Sequence, residues 1–264
     1  MKYNGVLRKM KAESTSPITY FLLFKNQFIN LNQLLNKKIQ ITFQGYECLA
    51  CGTDKKIFRQ GYCYDDFYKQ PQTGDWVMRP ELSKAHLGIE DRDLTYEQEA
   101  QIQPHIVYLA NSSNVKVGVT RKTQLPTRWI DQGAHQALVV LEVPNRYLAG
   151  IAEVALKSFV ADKTNWRKML TNQYEEANLQ NVKKELIAHL PEEVKEYISM
   201  DDEPIDLTFP VLQYNEKVKT LNLEKTPSYT GKLIGIKGQY LLFEDQTVFN
   251  IRNNEGFKVE IEVL

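Results

Sequence analysis

Hydrophobic and polar positions alternate in two segments at opposite ends of the chain, Gly5–Phe43 and Gly231–Val263. Alternating runs separated by polar turns are typical of short antiparallel strands that bury one face. The two segments also resemble each other. The matches are Gly5-Val-Leu with Gly231-Lys-Leu, Tyr20-Phe-Leu-Leu-Phe with Tyr240-Leu-Leu-Phe, and Lys38-Ile-Gln-Ile-Thr-Phe with Lys258-Val-Glu-Ile-Glu-Val.

The repeat predicts that the two ends of the chain associate. A unit of three or four strands leaves its edges and one apolar face uncovered. We therefore predict that residues 1–46 pack with residues 205–264 into one small β barrel or sandwich. The alternative is a chance similarity between two segments of β-type composition.

The spacing of the hydrophobic residues changes in the middle of the chain. Residues 104–200 predict a β-hairpin, a helix that begins near Pro126, a third strand at Ala137–Val143 and a second helix. The apolar face of that second helix is formed by Leu148, Ile151, Ala155 and Phe159. Residues 47–103 are rich in aromatic and turn residues and contain all the cysteines. The fold class predicted is α+β.

Composition excludes several classes of protein. Apolar residues make up 42% of the 264 residues and aromatic residues 11%, as in folded globular proteins. No apolar run approaches the length of a membrane span, and the N-terminus lacks a signal-peptide pattern, so we expect a cytoplasmic protein without a membrane partner. The 33 basic and 33 acidic side chains balance, which argues against a nonspecific polyanion binder.

One stretch departs from this balance, because His105–Arg128 contains basic side chains and no acid. Its cations are Lys116, Arg121, Lys122 and Arg128. They indicate either a local basic cleft for nucleic acid or a solvated hairpin edge rich in Lys and Arg.

The three cysteines lie within sixteen residues, at Cys48, Cys51 and Cys63. Such clustering in a cytoplasmic chain indicates a metal site more than disulfides. A zinc ribbon would place its fourth ligand at position 66, where this chain has Asp66, and a carboxylate can ligate zinc. The alternatives are a knuckle that has lost its metal, or His86 as the fourth ligand. A bound zinc would be structural, since a closed sulfur-rich site leaves no open coordination position.

The hairpin and the two helices after it resemble the GIY-YIG nuclease superfamily. Ile106-Val-Tyr108 matches the first tripeptide of that superfamily and Lys116-Val-Gly118 the second; the first lacks its glycine, and Lys116 replaces a tyrosine. Arg128 matches the arginine of the first helix, and Glu153 the metal-binding glutamate of a later one. The resemblance covers roughly residues 104–165.

This resemblance implies a divalent-metal-dependent endonuclease. Glu153 would hold Mg²⁺ or Mn²⁺, which stabilises the charge on the phosphate, and Arg128 would neutralise phosphoryl charge. Tyr108 or Lys116 would position or deprotonate the attacking water. The remaining polar residues of the hairpin's end are expected to bind substrate; they are Thr120, Arg121 and Lys122.

Each of these residues also has a purely structural interpretation. Tyr108 can be an ordinary strand aromatic, Arg128 can pair with Asp131, and Glu153 can pair with Arg146 or Lys157 on its own helix. A non-catalytic protein-interaction or structural module with a vestigial nuclease cleft therefore remains the alternative function. Trp129 and Trp166 are expected to be core anchors and not base-stacking platforms.

A longer stretch, about residues 45–170, is similar to a bacterial domain family of unknown function that combines a cysteine-rich knuckle with several short segments. In this chain they are Gly61-Tyr-Cys, Met78-Arg-Pro-Glu, Gln103-Pro-His, Val107-Tyr-Leu-Ala, Lys116-Val-Gly-Val-Thr-Arg and Arg128-Trp-Ile-Asp-Gln-Gly-Ala. Further cysteines and histidines expected between Asp66 and Gln103 are absent; Ser83 stands at one such place. This similarity identifies a family but implies no function.

Overall fold

The computed structural model describes residues 1–160 and 164–264. Within these residues the strands, in chain order, are β1 (Lys2–Val6), β2 (Lys11–Glu13), β3 (Thr19–Leu23), β4 (Phe28–Asn30), β5 (Lys38–Tyr46), β6 (His105–Asn111), β7 (Val115–Arg121), β8 (Gln136–Val143), β9 (Ile205–Asp206), β10 (Lys219–Thr220), β11 (Ser228–Lys237), β12 (Tyr240–Phe243), β13 (Thr247–Asn250) and β14 (Phe257–Val263). The α-helices are α1 (Tyr64–Phe67), α2 (Asp75–Met78), α3 (Leu94–Gln101), α4 (Thr127–Asp131), α5 (Arg146–Leu156), α6 (Trp166–Leu170) and α7 (Leu179–Leu186). The predicted α+β class is confirmed.

The chain forms two compact units, here called the terminal unit and the central unit. The terminal unit contains Met1–Tyr68, Leu170–Asn172 and Thr208–Leu264, and the central unit contains Lys69–Met169 and Gln173–Leu207. Residues 161–163, which fall in the predicted 104–200 core, lie outside the described residues. No helix within the described ranges is long and apolar enough to cross a membrane.

The terminal unit is built on an open seven-stranded sheet with the order β1-β14-β5-β11-β12-β13-β10. A second sheet has the order β2-β3-β4. The expected barrel is wrong, because among the described strands the large sheet ends at β1 on one side and at β10 on the other. The strand β10 has two residues and pairs in parallel with β13, which makes it a short edge.

The two matching end segments interleave in this sheet. Strands from the first and second segment alternate across β1-β14-β5-β11. At the centre, β5 and β14 pair antiparallel with Ile41 opposite Ile261, its own match in the repeat. Alternation places Ile39, Ile41 and Ile261 on the buried face, while Gln40 between them is half-buried. The arrangement has the pairing expected of a local two-fold axis between β5 and β14.

Two glycines at matching positions of the repeat pack against matching side chains. A Cβ at Gly5 would overlap the ring of Phe24; a Cβ at Gly231 would overlap the phenol of Tyr229 and also lie 2.9 Å from the ring of Phe243. Phe24 and Phe243 are the last residues of the matching Tyr-Phe-Leu-Leu-Phe and Tyr-Leu-Leu-Phe segments. The repeated glycines therefore leave room for the repeated phenylalanines, which favours a true repeat over chance similarity.

The central unit contains an antiparallel sheet with the order β7-β6-β8-β9. Strand β6 lies in the middle and is buried along its whole length. One face of this sheet packs against α5 and α7. The fully buried part of that core includes Val107, Leu109, Val117, Leu138, Val140, Ala149, Ala152, Leu156, Leu179 and Leu186.

Helix α5 is shorter than its apolar pattern predicts. It begins after Asn145, whose side chain accepts a hydrogen bond from the Leu148 N–H, and ends at Leu156. Phe159 lies beyond the helix and stacks on His189, with 3.7 Å between ring centroids. The prediction that Phe159 continues the helical face is therefore wrong. The small buried residues Ala149 and Ala152 form the face that packs closest to the sheet.

Candidate functional site

The three cysteines and Asp66 converge in the terminal unit. One ligand atom from each of the four residues lies within 4.8 Å of every other. The Asp66 Oδ2 atom lies 3.1 Å from the Cys48 Sγ and 3.2 Å from the Cys63 Sγ. Cys48 and Cys63 are buried, whereas Cys51 is exposed. These four residues could hold a metal ion, as the sequence spacing predicts.

Local backbone geometry produces this convergence. The Gly52 N–H donates to the Cys48 carbonyl and the Cys48 N–H to the Thr53 carbonyl, which closes a tight turn. Gly52 has φ +68, a conformation that a residue with a Cβ adopts at a cost. The Cys63 N–H then donates to the Cys48 Sγ at 3.3 Å. This contact holds the Cys48 sulfur beside the backbone of the second cysteine segment.

The distances fit zinc chemistry. Zinc bonds of about 2.3 Å to sulfur and 2.0 Å to oxygen place neighbouring ligands of a tetrahedron about 3.5 to 3.8 Å apart. The separations between 3.1 and 4.8 Å found here bracket that range. Burial raises the pKa of the Cys63 thiol to about 11. Because a bound cation stabilises the thiolate, metal binding at this position would release a proton.

The alternative fourth ligand, His86, has a different neighbour. Its ring stacks on Tyr147, with 4.9 Å between the centroids, and it is not part of the four-residue cluster. The carboxylate of Asp66 therefore occupies the fourth position.

The second candidate site is the hairpin of the central unit. Tyr108 on β6 stands directly opposite Gly118 on β7, and Ala110 stands opposite Lys116. Because residues two apart share a face of a strand, Tyr108 and Lys116 lie on the same face of the sheet. A Cβ at Gly118 would lie 2.6 Å from the Tyr108 hydroxyl oxygen, so the glycine is required for the phenol to cross β7.

Tyr108 is fully buried, with no exposed surface. Its hydroxyl accepts a hydrogen bond of 2.8 Å from the Gln132 Nε2, and its ring meets Trp129 edge-on. Burial raises the pKa of the phenol, against which the positive charge of Arg128 acts. Tyr108 is thus a neutral group that packs beneath α4. Trp129 is buried with it and is a core anchor, as expected.

Lys116 is the most unusual side chain of this face. It is 7% exposed, and no carboxylate among the described residues lies within ion-pair distance of its Nζ. Burial and, to a smaller extent, the charge of Arg128 lower the pKa of Lys116 to about 8, while the charge of Glu153 acts in the opposite direction. A buried ammonium without a paired carboxylate is costly, and sites of this kind are found more often where a charge has a task.

The remaining cations of the hairpin differ in their surroundings. Lys122 forms an exposed ion pair with Glu142, at 2.7 Å. Thr120 is buried, and its hydroxyl donates to the Gln124 Oε1 at 3.0 Å. Arg121 lies at the end of β7 and, like Arg128 of α4, makes no ion pair within the described part of the chain. The predicted pair between Arg128 and Asp131 does not form.

Glu153 approaches from α5, whose apolar residues pack on the opposite face of the sheet. Its Oε2 lies 3.4 Å from the Lys157 Nζ, one helical turn away, so one of the structural interpretations of Glu153 is realised. Burial raises the pKa of this carboxyl group, while Lys157 and Arg146 lower it and Glu81 raises it. The structure therefore brings Glu153 within electrostatic range of Lys116, while its buried Oε2, ion-paired with Lys157, makes no hydrogen bond among the described residues.

Two further residues of this region escaped the sequence prediction. Arg146 donates hydrogen bonds to the carbonyl oxygens of Trp76 and Val77, at 3.1 and 2.7 Å, and burial lowers its pKa to about 10. His105 is fully buried; its Nδ1 hydrogen bonds to the Gln103 carbonyl at 2.7 Å, while its Nε2 has no hydrogen-bond partner in the part of the chain that the structure describes.

Since a carbonyl only accepts, the Nδ1 of His105 carries the proton and its Nε2 presents a buried lone pair. Burial lowers the pKa of His105 to about 4; the charges of Arg146 and Arg121 act in the same direction, and the hydrogen bond to Gln103 acts against them. The Gln103-Pro-His segment was a signal in the sequence, but only the fold shows that this histidine lies among arginines.

Comparison with known proteins gives one match. The family model described as "Protein of unknown function (DUF2797)" matches residues 36–259, a range that includes both the cysteine cluster and the hairpin. No curated protein and no solved structure matches the chain. Because the matched range is 224 of the 264 residues, the chain belongs to the DUF2797 family of proteins of unknown function.

Proposed function

We propose that the central unit binds nucleic-acid phosphate through β6, β7 and α4. The observation that carries this proposal is Lys116, a buried ammonium that pairs with no carboxylate of residues 1–160 and 164–264 and lies within electrostatic range of Arg128. Two cations that repel each other in a low-dielectric setting gain more from an incoming anion than exposed cations do. A phosphate diester would satisfy both charges at once.

Other charges of the module favour the same ligand. Arg146 experiences the negative charge of Glu153 as well as the positive charges of Arg128 and Arg121, and His105 experiences the positive charges of Arg146 and Arg121. The region therefore concentrates positive charge in a protein whose formal net charge is zero. This local excess supports a site for an anion, although the whole chain is no general polyanion binder.

The resemblance to the GIY-YIG superfamily extends the proposal to phosphodiester cleavage. The order of elements supports it: two paired strands with Tyr108 and Gly118, a helix with Arg128, and a later helix with Glu153. Glu153 would hold Mg²⁺ or Mn²⁺, which would supply charge stabilisation to the phosphate in transit. Arg128 would bind the phosphoryl oxygens. Lys116, with a pKa of about 8, would accept a proton from water when it is neutral.

The second candidate is a module that binds without cleaving. Two observations favour it: Tyr108 has no exposed surface, and Glu153 already pairs with Lys157. A fully buried phenol does not contact the water that would attack the phosphate. A carboxylate neutralised by a lysine binds a divalent ion less well. In this form the cleft would be vestigial and serve binding to nucleic acid or to another protein.

We further propose that the cluster of Cys48, Cys51, Cys63 and Asp66 holds zinc in a structural role. Three sulfur atoms and one carboxylate oxygen form a donor set that zinc accepts in four-coordinate sites. With all four positions filled by protein, no position is left for a reacting water.

The test is incubation of the protein with labelled single-stranded, duplex and branched nucleic acids at low salt, with and without Mg²⁺ or Mn²⁺. We expect binding that Arg128→Ala weakens roughly tenfold or more, since a hydrogen bond to a charged group is lost. Lys195→Ala is the matched control, because this exposed cation of the central unit pairs only with Glu192 in the described structure.

The variants separate the two candidates. Cleavage that requires the divalent ion and is lost in Glu153→Gln, with binding retained, supports the nuclease. Binding without cleavage under every condition supports the non-catalytic module. If the wild type neither binds nor cuts at low salt, where electrostatic affinity is greatest, the proposal is wrong.

A further inference from the structure

An exposed group of aromatic rings lies beside the cysteine cluster in the terminal unit. We call it the aromatic platform, and it consists of Phe58, Tyr64, Phe67 and Tyr68. Three of its members are largely open to solvent: Tyr64 is 61% exposed, Tyr68 53% and Phe58 39%. Aromatic side chains of this size are usually buried, so three exposed rings in contact with one another indicate a surface made for a ligand.

The rings form one continuous surface. The ring centroid of Phe58 lies 5.2 Å from that of Tyr64 and 5.3 Å from that of Phe67, and both pairs of rings meet edge to face. Phe58 and Tyr68 are nearly parallel, with 6.1 Å between their centroids and 29° between their planes. The ring centroids of Tyr64 and Tyr68 are 5.1 Å apart. The contacts hold each ring in place and still leave ring surface open to solvent.

The backbone of the cysteine cluster positions the platform. Phe58 precedes a tight turn in which Gln60 and Gly61 have φ values of 52 and 80, as a type I′ hairpin turn requires. The chain then returns to Cys63 and enters α1, so that the segment Cys63-Tyr-Asp-Asp-Phe-Tyr68 contains the candidate ligands Cys63 and Asp66 together with three aromatic residues. The same short segment thus supplies two ligands and three rings, and a bound metal would make the platform more rigid.

Positive charge accompanies the rings. The Arg59 guanidinium carbon lies 5.2 Å from the centre of the Phe58 ring, and Arg59 makes no ion pair within the described residues. Lys55 and Lys56 precede it in sequence and form exposed ion pairs with Asp65 and Glu224, at 2.9 and 3.5 Å. Such exposed pairs are weak, so these lysines can exchange their partners for phosphate oxygens.

We propose that the aromatic platform is a base-stacking surface for single-stranded nucleic acid. Unpaired bases offer flat apolar faces that stack on aromatic rings, and the phosphates between them are bound by nearby cations. Arg59 suits this role because a planar guanidinium binds phosphate and also stacks on bases. Duplexes hide the faces of their bases, so the platform selects unpaired strands.

This inference does not rest on the phosphate-binding proposal for the central unit, because it concerns other residues and another kind of contact. The two are separated by an oligonucleotide that has the deoxyribose-phosphate backbone and no bases. The platform requires bases and binds this abasic strand poorly. A cleft that binds phosphate alone does not distinguish the abasic strand from an ordinary one.

The experiment measures binding of a fluorescent 20-nucleotide oligothymidine and its abasic counterpart to the full chain by anisotropy. Loss of one stacked base is expected to weaken binding of the oligothymidine about 5- to 150-fold in Tyr64→Ala and in Tyr68→Ala. Phe28→Ala is the matched control, since Phe28 is an exposed aromatic of the same unit that packs on Phe21.

A second variant separates stacking from a loss of structure. Tyr64→Trp keeps a flat ring and is expected to bind at least as well as the wild type, whereas Tyr64→Leu keeps apolar volume and is expected to bind as weakly as Tyr64→Ala. Zinc content and circular dichroism confirm that each variant is folded.

Three results would overturn the inference. These are equal affinity of the wild type for the abasic and the base-carrying strand, unchanged affinity in both alanine variants, or tight binding of a proline-rich peptide with no binding of oligothymidine. The last would identify the platform as a peptide-binding surface.

Discussion

The substitution Lys116→Met tests whether this lysine is held at an energetic cost. Methionine retains most of the volume and flexibility of lysine and removes its charge. Burial is the main reason that the pKa of Lys116 falls to about 8 from its ordinary value of 10.5. That difference corresponds to about 3 kcal/mol of destabilisation of the charged side chain in the folded protein. We expect the variant to be more stable than the wild type by up to this amount at pH 7.

The cost of burying the charge of Lys116 makes the free energy of unfolding depend on pH. Between pH 8 and 10.5 Lys116 has lost its proton in the folded state but keeps it in the unfolded state. The unfolded state therefore binds more protons, and the free energy of unfolding of the wild type rises with pH across this window. Below pH 8 both states are protonated and the full cost is present. The gap between wild type and variant should thus be widest at pH 7 and close near pH 10.5.

Urea denaturation at a series of pH values measures both quantities. The buried Lys237, whose pKa is also lowered to about 8 by burial, is present in both proteins and cancels in the comparison. Lys195→Met is the control, since loss of an exposed ion pair should change stability by less than about 1 kcal/mol at any pH. A Lys116→Met variant that is less stable than the wild type at pH 7, or a gap independent of pH, would refute the reasoning.

Three further predictions concern other parts of the structure. Protein purified without chelator should contain close to one zinc per chain by elemental analysis, and Cys63→Ser should lose it; an unchanged metal content would remove this residue from the site. Gly118→Ala should cost about 1 to 3 kcal/mol by thermal denaturation, because its methyl group meets the Tyr108 ring, and a neutral effect would show that the ring can move. Lys183→Met should cost about 2 to 4 kcal/mol, since the buried ammonium binds two carbonyl oxygens and Asp202; stability equal to that of the wild type would show that water replaces it.

Local spacing explains which features of the site the sequence could predict. The cysteine cluster depends on a turn of four residues and a return after eleven intervening residues, so its geometry is nearly determined by sequence separation. The shared face of Tyr108 and Lys116 follows from an even spacing across a short hairpin. Neither feature needs information from distant parts of the chain.

The features that the sequence did not predict depend on distant contacts. Arg146 reaches the carbonyl oxygens of Trp76 and Val77, about seventy residues earlier, and nothing near it in sequence marks them. The complete burial of Tyr108 depends on where α4 packs, which periodicity does not give. The open sheet in place of a barrel likewise ends at β10, which pairs in parallel with β13, a strand that follows β11 and β12 in the chain.

The interleaved sheet also determines when the chain can fold. Strand β5 is hydrogen-bonded on both sides to strands from the far end of the sequence; Thr42 pairs with Ser228 on one side and Glu260 on the other. During synthesis from the N-terminus, β5 therefore has neither partner until some 190 residues have followed it. Contacts of such long range form slowly, and an unpaired strand with alternating apolar residues is prone to pair with other chains. Refolding of the terminal unit should thus be the slow and aggregation-sensitive step, and coexpression with a chaperone should increase the yield of folded protein.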